Sequence, residues 1–294
     1  MSAKMIMNVR TILLVALIGW IFNSSVQATE LTALTLPKIQ VAPIKASKSN
    51  KHYELYIKLP ESYAELDEKA YPVIYFTDGL WHVELLSGAT EYMLEDVILV
   101  GISWQKDISK DVKQAYGAHF SRFGDYSFKK RVNPKHPKIK FGQAQAHLDF
   151  IRDDVIAYIE TNYRTQPNNR TYFGFSAGGL FGTYVLMAEP DTFRNYILGS
   201  PSIWSSAPDL FALQSAKLNS EKSAINILTS YGDSEKELIP TIDDFIHKLN
   251  AKEYVGISSM QHIVIESAGH SDSFPQMGIQ SVIWLGRLLA ETGK

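Results

Sequence analysis

Gly174-Phe175-Ser176-Ala177-Gly178 is a Gly-x-Ser-x-Gly pentapeptide. In that spacing a serine hydroxyl is raised on a sharp strand-to-helix turn, and the flanking glycines remove side chains that would crowd it. So short a pattern arises by accident in about one chain in ten of this length, so its surroundings decide its meaning. Here the apolar run Thr171 to Phe175 precedes the serine and the apolar stretch Leu180 to Ala188 follows it. That order puts the hydroxyl at the carboxyl edge of a sheet, where open α/β sheets bind their ligands.

A serine hydroxyl attacks poorly at neutral pH unless a neighbouring base takes its proton, and imidazole suits that task. Among eight histidines, His270 lies in Ser267-Ala268-Gly269-His270-Ser271, a turn just past the last expected strand. It also comes last in the chain order serine, acid, histidine. His262 falls inside an expected strand and His247 inside an expected helix, which suits packing better than chemistry. His82 is read as a substrate contact rather than the base, together with the aromatics Trp81 and Trp204. A carboxylate should hold the imidazole in one tautomer. Ser230-Tyr231-Gly232-Asp233-Ser234-Glu235 offers two: Glu235 is preferred, Asp233 is the alternative, and Glu237 stands behind them. Acyl transfer further requires N–H donors aimed at the oxygen that turns negative. The Ala177 amide, next to the serine, is one candidate. The Leu80 amide, turned inward by Asp78-Gly79-Leu80, is the other.

These residues need a scaffold, and the hydropathy pattern describes one. Strand-like runs at His52 to Leu59, Tyr71 to Thr77 and Asp96 to Ser103 precede an amphipathic helix through Leu148, Ile151, Val155 and Ile159. Strands at Thr171 to Phe175, Tyr196 to Leu198, Ala224 to Ser230 and Gln261 to Glu266 follow. Helices near Leu180 to Ala188, Leu238 to Leu249 and Ile279 to Leu289 are interspersed among them. The alternation predicts an α/β class with a mostly parallel central sheet flanked by helices. Residues 104–142 lack strong periodicity and read as a long excursion over the carboxyl edge of the sheet.

The chain has 294 residues, 45% hydrophobic and 20% charged, with a formal net charge of −2 and no cysteine. That composition fits one globular domain and excludes disulfide frameworks, thiolate zinc sites and cysteine nucleophiles. The 29 basic residues are dispersed, which argues against a nucleic-acid partner. A local run, Lys129, Lys130, Arg131, Lys135, Lys138 and Lys140, lies beside the expected site and could steer an anionic substrate, although a solvated loop has the same signature. Residues 1–28 read as a signal peptide: Lys4 and Arg10, an apolar run from Thr11 to Phe22, and the small-residue exit Val26-Gln27-Ala28. The run is too short for a membrane-spanning helix. A periplasmic or secreted domain over residues 29–294, with no stable membrane insertion after cleavage, is therefore expected.

Tyr75-Phe76-Thr77-Asp78-Gly79, Gly174-Phe175-Ser176-Ala177-Gly178-Gly179, Ser200-Pro201-Ser202-Ile203-Trp204 and Gly269-His270 resemble the esterase family of the α/β-hydrolase fold. That family includes siderophore (enterobactin-type) esterases, S-formylglutathione hydrolases, feruloyl esterases and mycolyltransferases. Tyr163-Arg164-Thr165, the Ser-Pro-Ser-x-Trp segment and the Gly-x-x-Glu spacing of Gly232 to Glu235 are most similar to the siderophore-esterase branch. Arg122-Phe123-Gly124-Asp125-Tyr126-Ser127 matches that branch's Arg-containing Asp-Tyr-Thr-Pro segment only loosely. The resemblance implies serine-dependent hydrolysis of a small-molecule carboxylic ester, with no cofactor and no metal. Acyl transfer, thioester hydrolysis and a non-catalytic binding role are the alternatives on the same fold.

Overall fold

A computed structural model describes residues 38–292 except 133–139, 205, 214–215, 221–223 and 252–253. The expected signal peptide and the basic residues Lys135 and Lys138 lie outside the described residues.

Eight strands form one sheet in the order β1-β2-β4-β3-β5-β6-β7-β8. They are β1 (Ile39–Lys45), β2 (His52–Lys58), β3 (Tyr71–Phe76), β4 (Ile98–Ile102), β5 (Thr165–Phe175), β6 (Asn195–Gly199), β7 (Ile225–Gly232) and β8 (Ile257–Ile265). The pairings of β1 with β2 and of β2 with β4 are antiparallel, and every other pairing is parallel. Helices cover both faces, as a parallel sheet requires. The principal ones are α1 (Gly79–Met93), α2, α3 (Ala177–Ala188), α4 (Ile239–Ala251) and α5 (His270–Thr292). Helix α2 runs from Ala144–Phe150 through a wider π-type turn at Ile151–Ile156 to Ala157–Asn162.

Successive side chains of a strand point to opposite faces, so the inner strands feed two cores. Val73, Tyr75 and Tyr172 pack beneath α2, α3 and α4. Ile74, Phe76 and Phe173 pack beneath α1 and α5. Because both faces are dry, β3, β4, β6 and β7 are buried along their whole lengths. The edge strand β1 alternates instead, and the sequence hides it because Gln40, Pro43 and Lys45 interrupt the apolar pattern.

Helix α1 is likewise hidden in the sequence. Its sequence, GLWHVELLSGATEYM, mixes small, polar and aromatic residues without a clean apolar stripe, yet it forms the crossover between the parallel neighbours β3 and β4. The described residues of the excursion at 104–142 include two short α-helices, Lys110–Tyr116 and Arg122–Asp125, joined by a 3-10 turn at Ala118–Ser121. The excursion is pinned to the start of the sheet by Asp125. That buried carboxylate accepts from Lys51 Nζ at 3.0 Å, the Tyr53 hydroxyl at 3.1 Å and Gln105 Nε2 at 2.7 Å.

Candidate active site

Strand β5 ends at Phe175 and α3 begins at Ala177, leaving Ser176 alone on the turn with φ 59° and ψ −116°. A positive φ is strained for a residue with a side chain and persists only where the surroundings fix it. The Ser176 amide donates to the Gly199 carbonyl at 2.9 Å, and its carbonyl accepts from the Leu180 and Ser202 amides at 2.9 and 3.1 Å. The hydroxyl thus stands at the carboxyl edge, beside the start of a helix whose first amides lack intrahelical acceptors.

His270 is the first residue of α5, and its Nε2 lies 2.9 Å from Ser176 Oγ. Its Nδ1 lies 2.6 Å from Glu235 Oε2. Since an ionised carboxylate only accepts, Nδ1 carries the proton and Nε2 presents its lone pair to the serine. The other oxygen of Glu235 accepts from the Ser200 hydroxyl at 2.6 Å, the Gly232 amide at 2.8 Å and the Ser273 hydroxyl at 3.2 Å. Burial pulls the Glu235 carboxyl upward, but the bonds from His270, Ser200 and the Gly232 amide outweigh it and hold the group below its usual range. The turns after β7 and β8 meet closely enough for this because Gly232 lacks a side chain. A Cβ there would sit 2.2 Å from the Ala268 carbonyl oxygen.

Asp233, the alternative acid, is exposed and faces away. It accepts from the Ser267 and Ala268 amides at 2.9 and 3.3 Å, bracing the turn that delivers His270. The sequence does not mark Ser200 and Ser273 as partners of the acid. Ser200 sits in the quoted Ser-Pro-Ser segment, but its link to Glu235 spans 35 residues and has no local signature. His262 donates to or accepts from the Thr229 hydroxyl at 2.8 Å within the sheet.

A cavity of about 210 Å³ opens beside Ser176 and Ala177, walled by Arg122, Phe123, Tyr126, Phe141 and Trp204. Trp204 thus reaches the cavity, with 62% of its surface exposed. Trp81 does not line it; the ring meets Trp104 edge-on at 4.7 Å and lies 5.1 Å from His119. His82, expected to contact substrate, is instead buried, stacks on Phe274 at 4.6 Å between α1 and α5, and does not line the cavity beside Ser176. Burial lowers its pKa to about 4, against the upward pull of Asp78. In the basic run, Lys129 and Arg131 line the cavity mouth, Lys129 paired with Asp209 and Arg131 over the Phe141 ring. Lys130 and Lys140 are solvated. Among the described residues no cluster of three or more histidine and carboxylate groups could hold a metal ion. No described helix is long and apolar enough to cross a membrane.

Residues 46–273 match the model of the Esterase family, described as "Putative esterase". Ferri-bacillibactin esterase BesA of Bacillus subtilis (strain 168) is 28% identical over 233 residues, spanning 75% of this chain and 77% of the relative. Among solved structures, the BES protein from Bacillus cereus superposes with a TM-score of 0.74 at 20% identity, covering 88% of this chain and 98% of that one. Siderophore hydrolase EstA from Aspergillus nidulans gives 0.67 at 16% identity, covering 88% and 99%. The family match over most of the chain, joined to an eight-stranded α/β-hydrolase sheet, makes this protein a member of that esterase family and a serine carboxylic-ester hydrolase.

Proposed function

We propose that the protein cleaves a siderophore-type ester through a covalent acyl-enzyme on Ser176. The observation that carries the reading is the unbroken chain from Glu235 Oε2 through both nitrogens of His270 to Ser176 Oγ. As Oγ attacks the ester carbonyl, its proton passes to His270 Nε2, and Glu235 stabilises the imidazolium that forms. The carbonyl oxygen becomes an oxyanion facing the Ala177 and Leu80 amides. When the tetrahedral intermediate collapses, His270 returns the proton to the departing alkoxide, which leaves as the alcohol. A water then repeats the sequence against the acyl group, giving the carboxylic acid and restoring the Ser176 hydroxyl.

Two features support a siderophore-type substrate. The cavity combines aromatic walls with cationic groups at its mouth, which suits an aromatic or anionic ester. The relatives are named for siderophores, BesA as a ferri-bacillibactin esterase and EstA as a siderophore hydrolase. A panel of short-chain, aryl, thioester and catecholate siderophore esters tests the reading, with wild type and Ser176→Ala side by side. The wild type should prefer the siderophore ester, and Ser176→Ala should lose at least about 10⁴-fold in kcat on every ester. Undiminished turnover by Ser176→Ala would refute the serine mechanism, and preference for a simple alkyl ester would refute the substrate.

A further inference from the structure

Asp78 sits immediately before α1 in the left-handed conformation, with φ 55° and ψ 38°. An aspartate at that position ordinarily folds its carboxylate over the helix end and accepts from a first-turn amide, most often the second or third. Asp78 makes no such bond. Its carboxylate is fully buried and turned away from the helix. Oδ1 accepts from Arg122 Nε at 2.7 Å and Trp104 Nε1 at 2.7 Å, and Oδ2 accepts from Arg122 Nη2 at 2.7 Å. The Tyr126 hydroxyl accepts from the Asp78 amide at 3.2 Å and donates to Oδ1 at 3.3 Å. Burial alone would push this carboxyl upward, yet Arg122 and Trp104 hold it below the usual range and therefore charged. The Asp78 carbonyl accepts from the Trp81 and His82 amides. The Gly79 and Leu80 amides find no acceptor among the described residues.

A second set of bonds joins this turn to the nucleophile's turn. The Tyr172 hydroxyl donates to the Gly178 carbonyl at 2.7 Å and so receives the Thr77 hydroxyl at 3.1 Å. A Cβ on Gly178 would lie 2.4 Å from Thr77 Oγ1 and 3.4 Å from Asp78 Oδ2. The segments bearing the Leu80 and Ala177 amides are therefore in direct contact, two different loops locked to one another.

Building on the assignment of those two amides as oxyanion donors, we propose that the Asp78–Arg122 ion pair is a positioning device for the oxyanion site. By drawing the Asp78 carboxylate into the interior, Arg122 prevents it from capping α1 and keeps the Leu80 N–H unclaimed for substrate. The bidentate fork fixes the turn in the orientation that faces Ala177. The pair also sets the charge of the cavity wall, because Arg122 reaches the cavity with its charge already matched by Asp78. Neither residue touches the reacting atoms; both act through the Leu80 amide.

Asp78→Asn tests the device. The shape is kept, the negative charge that holds the side chain to Arg122 is lost, and the side chain, itself a good helix cap, is freed to swing onto the Leu80 amide. Active sites are first counted with a fluorophosphonate, so that rates refer to folded, reactive enzyme. On a neutral aryl ester, kcat per counted site should fall about 10- to 100-fold with KM within about twofold. Affinity for a trifluoromethyl ketone, whose adduct on Ser176 carries the oxyanion, should fall by a similar factor. A purely structural role would lower the melting temperature or the number of sites and leave kcat per site and ketone affinity unchanged; that result overturns the proposal. If Asp78→Asn yields no folded protein, Arg122→Lys takes its place. It keeps the charge but not the fork, so kcat per site and ketone affinity should both fall about 3- to 10-fold, and no change in either overturns the proposal. A wild-type enzyme that fails to react with the fluorophosphonate overturns the serine mechanism as well. A reactive wild type with an unaffected variant overturns the positioning role alone.

Discussion

Glu235 and Asp233 lie two residues apart on one turn, and the sequence offers no periodicity that would separate them. Their surroundings do: Glu235 is buried against His270, Ser200 and Ser273, whereas Asp233 is exposed and braces the Ser267 turn. Glu235→Gln keeps the shape but places a donor opposite His270 Nδ1, favouring the wrong tautomer. It should lower kcat by about 10³- to 10⁴-fold with little change in KM. Asp233→Asn, measured in the same assay, should cost less than about tenfold, because only the bracing of the turn is weakened. Equal losses in the two variants would contradict the distinction. A motif marks Ser176 and a chain order marks His270 in the sequence, whereas the turn Ser230 to Glu235 marks the acid only as one of two neighbours. Ser200, Ser273 and the Asp78–Arg122 pair carry no mark, because contacts across 35, 38 and 44 residues leave no pattern in a linear reading.

At the scale of elements, the position of the site depends on how closely α3 approaches the end of β3. The contact is made through Gly178, which has Thr77 against its backbone. Gly178→Ala forces Thr77 and the Leu80 turn to move. Overpacking of this kind costs about 1–3 kcal/mol, and the displaced turn should lower kcat as well. Urea denaturation and ester turnover measured together check this, and a variant with wild-type stability and rate would show that the two turns are not coupled. The elements legible in the sequence are those with strong periodicity or continuous apolar runs, such as β3, β4, β7 and α2. The apolar pattern marks helix α5 only from Ile279, yet the helix begins at His270, so the base sits at a helix start rather than in a free turn. Helix α1 is hidden because its buried face mixes Gly79, His82, Val83, Leu86, Ala89 and Thr90 while Leu80, Trp81 and Tyr92 are exposed, so no apolar stripe marks the register that buries His82.

For the whole molecule, the alternation of strands and helices announced the α/β layering, and the two-faced burial of the inner strands completes it. That burial has a consequence for stability. His82 and His147 are enclosed, each with its pKa lowered to about 4, mainly by burial; Asp78 opposes the shift at the first and Asp125 at the second. Unfolded histidine titrates near pH 6.5, so between pH 6.5 and 4 the unfolded chain binds more protons than the native one. Stability is therefore complete above about pH 6.5 and falls by about 3 kcal/mol per histidine as pH drops to 4. The depressed carboxyls Asp78 and Glu235 add stability above the unfolded carboxyl range, lost only at lower pH. His147 packs among Tyr53, Tyr126, Phe150 and Phe181, and neither ring nitrogen has a partner among the described residues. His147→Phe should therefore keep its stability at pH 7 to within about 1 kcal/mol and remove about 3 kcal/mol of the loss between pH 6.5 and 4. Urea midpoints across that range decide it, and an unaltered pH slope would contradict the burial argument.

The central claim, that Ser176 is the nucleophile of an ester hydrolase driven by His270, meets its most direct test in intact-mass and peptide-mass measurement after treatment with a fluorophosphonate. One adduct per chain is expected, confined to the peptide containing Ser176, with ester turnover lost in proportion to labelling and no adduct formed in His270→Ala on the same timescale. Labelling at another residue, or full turnover by a chain labelled at Ser176, would contradict it.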